Sequence, residues 1–125
     1  MSRAVGTLND FIEEKLLQLH TSTIARVERV NNNKTYDVQP LIMTKEVGDD
    51  DGELLPLLVD VPATGFKGKI DGSLKEIEPA YEKGDIVVIA FAERAFDTAL
   101  TGREELPPDF RRHSLNDAYI TGVFL

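Results

Sequence analysis

His20 and His113 are the only imidazoles in the chain. They lie far apart, form no H-x-H or H-x-x-x-H pair and have no third ligand at useful spacing, so they do not read as a zinc site. His113, Ser114 and Asp117 supply the residue types of a hydrolase triad. A triad is defined by geometry, and close neighbours on an extended segment point apart. The G-x-S-x-G nucleophile elbow is also missing. Gly48-Asp49-Asp50-Asp51-Gly52 invites comparison with a calcium loop. With Gly52 at the sixth position of an EF-hand loop, Val47 falls first and Leu58 twelfth, where acids are required. Gly65, Gly68 and Gly72 with Lys67 and Lys69 do not fit G-x-x-x-x-G-K-[ST], and no helix start follows. The carboxylate pairs Glu13-Glu14, Asp49-Asp50 and Glu104-Glu105 lie in polar stretches that read as solvated. The absence of Cys removes thiolate ligands, disulfides and a Cys nucleophile. No catalytic, cofactor-binding or metal-ligating residue is therefore assigned. The expectation is a structural or assembly protein, not an enzyme, without cofactor.

Composition narrows the partners. The 125 residues suit one domain with one modest core. A net charge of −8 disfavours nonspecific binding to nucleic acid or anionic lipid, both polyanions. No apolar run approaches the ~18 residues of a membrane span, and no basic segment followed by an apolar stretch marks a signal peptide. Direct membrane insertion by this chain is not expected.

The elements are organised around Lys83-Gly84-Asp85, a turn, and the apolar run Ile86–Ala92 that follows it. Gly84 accepts φ > 0 without a Cβ clash, and the Asp85 carboxylate can accept from nearby backbone N–H groups. The short run reads as a strand. Ile86, Val88 and Ala90 face one way and Val87, Ile89 and Phe91 the other, so both faces are expected to be covered. Upstream, residues 1–7 are polar and expected to fray. Thr7 offers an N-cap with Asp10 as its partner. Leu8, Phe11, Ile12, Lys15, Leu16 and Leu19 then keep the helical period, predicting a helix over Leu8–His20. Thr21–Val30 and Thr35–Ile42 predict a hairpin across the turn Asn31–Lys34, with Tyr36, Val38, Pro40 and Ile42 on one face. Pro40 marks an edge, a bulge or a strand end. Glu53–Pro62 predicts a further buried or interface strand bent at Pro56. Ala63–Glu82 reads as a long loop or a protruding hairpin. Ala95–Thr101 predicts a helical turn or two stopped by Gly102, Leu106-Pro107-Pro108 breaks the chain, and Tyr119–Leu125 predicts a last strand. The fold class is mainly β: a small Greek-key OB-like barrel with an N-terminal α-helix and a short helical turn after the central strand. Residues 1–22 form the helix and arm, and 23–125 the barrel.

Four runs carry a family resemblance. Tyr36-Asp37-Val38-Gln39-Pro40-Leu41 resembles the second-strand motif of the N-terminal OB domain of bacteriophage baseplate central-spike proteins, the membrane-piercing tail spikes. Leu55-Pro56-Leu57-Leu58-Val59-Asp60-Val61-Pro62 is similar to that family's LPVLVNVPV strand. Lys83–Arg94 is similar to its KPGDEVLLVFAER strand, and Arg112-His113-Ser114-Leu115-Asn116-Asp117-Ala118 to its closing RHDLSDA segment. Their order and approximate spacing agree from about Leu8 to Ala118. The resemblance implies a virion structural protein of a phage or prophage tail baseplate, made in the bacterial host cytoplasm. It implies a homotrimer linking tail-hub or baseplate proteins to a cell-puncturing needle. The sequence departs from the family where the β-helical needle and its iron-binding His-x-His would follow. The needle is expected either as a separate chain or as a missing C-terminal segment. The alternative is an OB-fold nucleic-acid-binding module, which grips a strand with a basic groove and stacking aromatics. Six Phe and three Tyr without basic interleaving, together with a charge of −8, weigh against it.

Overall fold

The computed structural model describes residues 3–18, 21–43, 52–92, 96, 99–102, 104 and 114–125. His20, His113, the acidic run 48–51 and Leu106-Pro107-Pro108 lie outside them. In chain order the described elements are α1 (Arg3–Gln18), β1 (Ser22–Val30), β2 (Tyr36–Pro40), β3 (Leu58–Val61), β4 (Phe66–Ile70), β5 (Ser73–Ile77), β6 (Ile86–Phe91) and β7 (Ala118–Phe124). Short 3₁₀ turns occupy Ala99–Thr101 and Leu115–Asp117.

Five strands form one antiparallel sheet in the order β3-β2-β1-β6-β7. β1, β2 and β3 meander, and β6 returns on the far side of β1, which is the Greek-key order. The chain just past β3 reaches β7 through a parallel bridge between Ala63 and Ile120. There Ile120 N–H donates to the Pro62 carbonyl at 2.9 Å, and Thr64 N–H donates to the Ile120 carbonyl at 3.0 Å. These bonds draw the two sheet edges together and curl the sheet into a half-barrel.

Bulges supply the curvature. Glu28 is the extra residue where β1 passes from the Val27–Val38 pair to the Arg29–Asp37 pair. Thr121 plays the same part in β7 opposite Val88 and Ile89. A bulge bends its strand and adds twist, which a five-strand sheet needs to curl. The Glu28 bulge also explains why Ile24, Val27 and Val30 alternate imperfectly.

The core follows the strand period. Val27, Val38, Val87, Ile89 and Ile120 are fully buried, with Ala25, Tyr36, Leu58, Val61, Phe91 and Ala118 around them. On β6 the inner face is Val87, Ile89 and Phe91, while Ile86, Val88 and Ala90 are only half-buried. Within one chain, the outer face is only partly sheltered.

The central turn forms as its residues predict. Gly84 holds φ 95°. The Asp85 carboxylate accepts from Glu82 N–H at 2.8 Å. Gly84 N–H donates to the Val27 carbonyl at 2.8 Å and Val27 N–H to the Asp85 carbonyl at 2.9 Å, which ties the turn to β1.

Other expectations change. The helix begins at Arg3, so Thr7 lies inside it and does not cap it. Arg3, Ala4 and Val5 extend the helix through Gly6 despite the roughly 1 kcal/mol a helical glycine costs. β2 ends at Pro40, and Ile42, beyond it, is exposed. The strand expected over Glu53–Pro62 shrinks to Leu58–Val61, and only Leu58 and Val61 point inward. The β2–β3 register slips between Tyr36 and Val38, and Asp60 adopts φ 53°. Val59 and Asp60 consequently turn to solvent. Ala63–Glu82 resolves into the β4–β5 hairpin. Its two-residue turn, Asp71-Gly72, has φ 51° and 80°, the paired positive values of a type I′ hairpin turn.

Candidate functional site

Among the described residues, the sequence candidates for chemistry do not converge. Ser114 caps the 3₁₀ turn Leu115–Asp117, its hydroxyl accepting from Asn116 N–H at 3.2 Å. Asp117 is fully buried, and its carbonyl accepts from Ala92 N–H at 2.9 Å, fastening the turn to the end of β6. Both residues thus anchor the chain's return into β7. Gly68, Lys67 and Lys69 lie on β4, and Gly72 in the hairpin turn. They form a ladder with β5, with no loop that could wrap a phosphate. Among the described residues, no group of three or more His, Cys, Asp or Glu is placed to hold a metal ion.

A polar network lies at the end of the barrel by the β1–β2 turn. Asn31 Nδ2 donates to Asp37 Oδ1 at 2.9 Å and to Asp60 Oδ1 at 3.2 Å. Asp60 N–H also donates to Asp37 Oδ1, at 3.0 Å. The Asn31 amide first, and the Asp60 N–H second, hold the Asp37 carboxyl below its ordinary range. These bonds join the β1–β2 turn to the β3 bulge and let Asp60 keep its positive φ.

Beside this network is a cleft of about 510 Å³ whose lining includes Val30, Lys34, Tyr36, Pro79 and Tyr81. The Tyr36 hydroxyl donates to the Pro79 carbonyl at 3.2 Å and accepts from Tyr81 N–H at 3.3 Å. The two tyrosine rings are 5.3 Å apart and tilted by 54°. Burial, then the neighbouring Tyr36, raises the Tyr81 hydroxyl above its usual pKa, which leaves it protonated at neutral pH. The cleft therefore offers hydrogen bonds and ring surface.

The larger unsatisfied feature is apolar. On α1, Leu8, Phe11, Ile12 and Leu16 are each about half exposed. Lys15, the one charge on that stripe, lies over the Phe11 ring at 5.4 Å, which keeps its stem against the apolar surface. β4 and β5 form their own two-stranded sheet. In it Phe66 pairs with Ile77, and Phe66, Ile70 and Ile77 share a face that is open to solvent. A third surface is the outside of β1, β6 and β7, where Ile24, Ile86, Val88 and Phe124 sit together by register. Sequence periodicity found α1 and the two-faced β6. It missed the hairpin's open face, although Asp71-Gly72 between alternating residues is a strong hairpin signal. Exposed apolar patches of this kind mark interaction surfaces. The arrangement is suited to binding other protein surfaces.

No curated protein matches this chain. The sequence model of the family described as Phage protein Gp138 N-terminal domain matches residues 25–122, from within β1 to within β7, and the chain belongs to that family.

Proposed function

We propose that this chain is the OB-like domain of a trimeric central spike in a phage tail baseplate, connecting the tail hub to a cell-puncturing needle and catalysing no reaction. A phage-protein domain suggests a structural, virion-associated role. The observation that carries the finer reading is the open apolar surface on α1, the β4–β5 hairpin and the outside of β6. A barrel of this size has one interior, and that interior is already filled. Closed cyclic assembly would bury the remaining surface without leaving an open filament. The resemblance to spike N-terminal domains selects three subunits.

Light scattering on the full chain at micromolar concentration tests this. The expected result is a single species of three times the chain mass. A monodisperse monomer overturns self-assembly, and a dimer overturns the symmetry. Salt-sensitive binding to a single-stranded oligonucleotide would favour the nucleic-acid module instead.

A further inference from the structure

We propose that the cleft between the β1–β2 turn and residues 78–82 binds a neutral saccharide, with a pyranose ring against Tyr81 and its hydroxyls bonded to the polar rim. The proposal does not depend on the trimer reading. At about 510 Å³ the cleft falls within the roughly 300–1,000 Å³ of ligand pockets. Such pockets set a few polar groups around an aromatic or apolar wall. Here Tyr81 and Pro79, both half-buried, supply the wall. Asn32, Lys34, Glu78 and Glu82, all exposed, supply the polar groups.

The walls of the cleft are fixed by bonds within the chain. Tyr36 is buried, and its hydroxyl bonds both the Pro79 carbonyl and Tyr81 N–H, which anchors the 79–81 segment. Asn31 donates to Asp37 and Asp60, which anchors the turn on the other side. Lys34 Nζ pairs with Glu78 Oε1 at 3.1 Å and joins the two walls. Lys34 holds φ 62°, in the left-handed region that favours glycine. Its ion pair is solvent-exposed and returns little stability. Backbone strain of this kind gathers at binding sites. A site shaped before its ligand arrives also loses less ordering entropy on binding.

The groups left over select the ligand. Among the described residues, no hydrogen bond engages the Tyr81 hydroxyl, the Asn32 amide or the Glu82 carboxylate. A phenol and a side-chain amide each donate and accept, whereas a carboxylate only accepts. A nucleotide or other anion would meet Glu78 and Glu82 against one lysine that is already paired, in a chain of net −8. A guanidinium or ammonium group only donates, and would leave the Tyr81 O–H and the Asn32 N–H groups without acceptors. Saccharide hydroxyls both donate and accept, so they match all three groups. The C–H face of a pyranose ring matches the apolar ring of Tyr81.

The test is an NMR titration of the isotope-labelled full chain with maltose, cellobiose, lactose and N,N′-diacetylchitobiose. Each sugar is taken to about 10 mM, which covers ligands of millimolar Kd. The expected result is saturable shifts with at least one sugar, confined to residues 31–34 and 78–82. Tyr81→Phe keeps the ring and removes the hydroxyl, and Glu82→Gln changes an exposed side chain. Each should weaken that binding about fivefold or more, the loss of one hydrogen bond, at an unchanged melting temperature. No saturable shift there with any of these sugars overturns the proposal. Binding that neither variant weakens overturns it as well. Saturable shifts with N-acetylarginine amide and with no sugar would make the cleft a pocket for a basic side chain, which also overturns it.

Discussion

Gly84 holds φ 95° in the turn that launches β6, and a Cβ built there meets nothing within 4 Å. The cost of substitution is therefore conformational, without a steric clash. Gly84→Val should destabilise by about 1 kcal/mol or more, read as a lower denaturant midpoint with unchanged slope. An unchanged midpoint would mean that the turn relaxes to φ < 0. Asp37 gives a pH signature. Its folded pKa is depressed below 3.8, chiefly by Asn31. A depressed acid contributes stability that is fully present above the unfolded pKa and is lost as pH falls through the folded one. Asp37→Asn should lower the melting temperature at neutral pH, and its deficit should shrink as pH drops below 3.8. A deficit independent of pH would mean that shape, and not charge, holds the β1–β2 turn to Asp60. Gly84 was legible in the sequence because Gly-Asp before an apolar run is turn chemistry. The Asp37–Asn31–Asp60 network was not, since it joins residues from three segments.

At the scale of elements, β6 separates core from surface residue by residue. Val87 is fully buried and Val88 half-buried. Val87→Asp should abolish soluble folding, because an unpaired buried charge costs several kcal/mol. Val88→Asp should still give a cooperatively melting chain with reduced self-association. Equal loss of soluble protein from both variants would mean that the outer face is as fully covered as the inner. Periodicity alone could not make this distinction, since Ile86, Val88 and Ala90 are as apolar as their neighbours and burial depends on what lies above them. The same limit explains Glu53–Pro62. Its apolar density suggested a long strand, but Pro56 and the bulge at Val59–Asp60 leave only Leu58 and Val61 in the core. Thr7 misled in the opposite way. A good cap residue lost to three helix-compatible residues ahead of it, because helix propagation costs less than nucleation. The four runs that carried the resemblance were more informative than any single element, and all lie within the matched residues 25–122.

Charge and apolar surface oppose each other at the scale of the whole molecule. Each chain carries −8, so a trimer carries 3 × −8 = −24. Like charge spread over three barrels resists approach, and the resistance acts over about 8–10 Å at ordinary ionic strength. In the proposed trimer, burial of the open apolar surface must outweigh this repulsion, and burial is insensitive to screening. Salt should therefore strengthen the trimer or leave it unchanged, since screening weakens like-charge repulsion. Sedimentation or light scattering across a dilution series, at low salt and again near ~0.5 M, reads the sign directly, because the Debye length falls to a few ångströms over that range. A trimer that dissociates as salt is added would mean that ion pairs, not the apolar faces of α1 and β4–β5, hold the copies together.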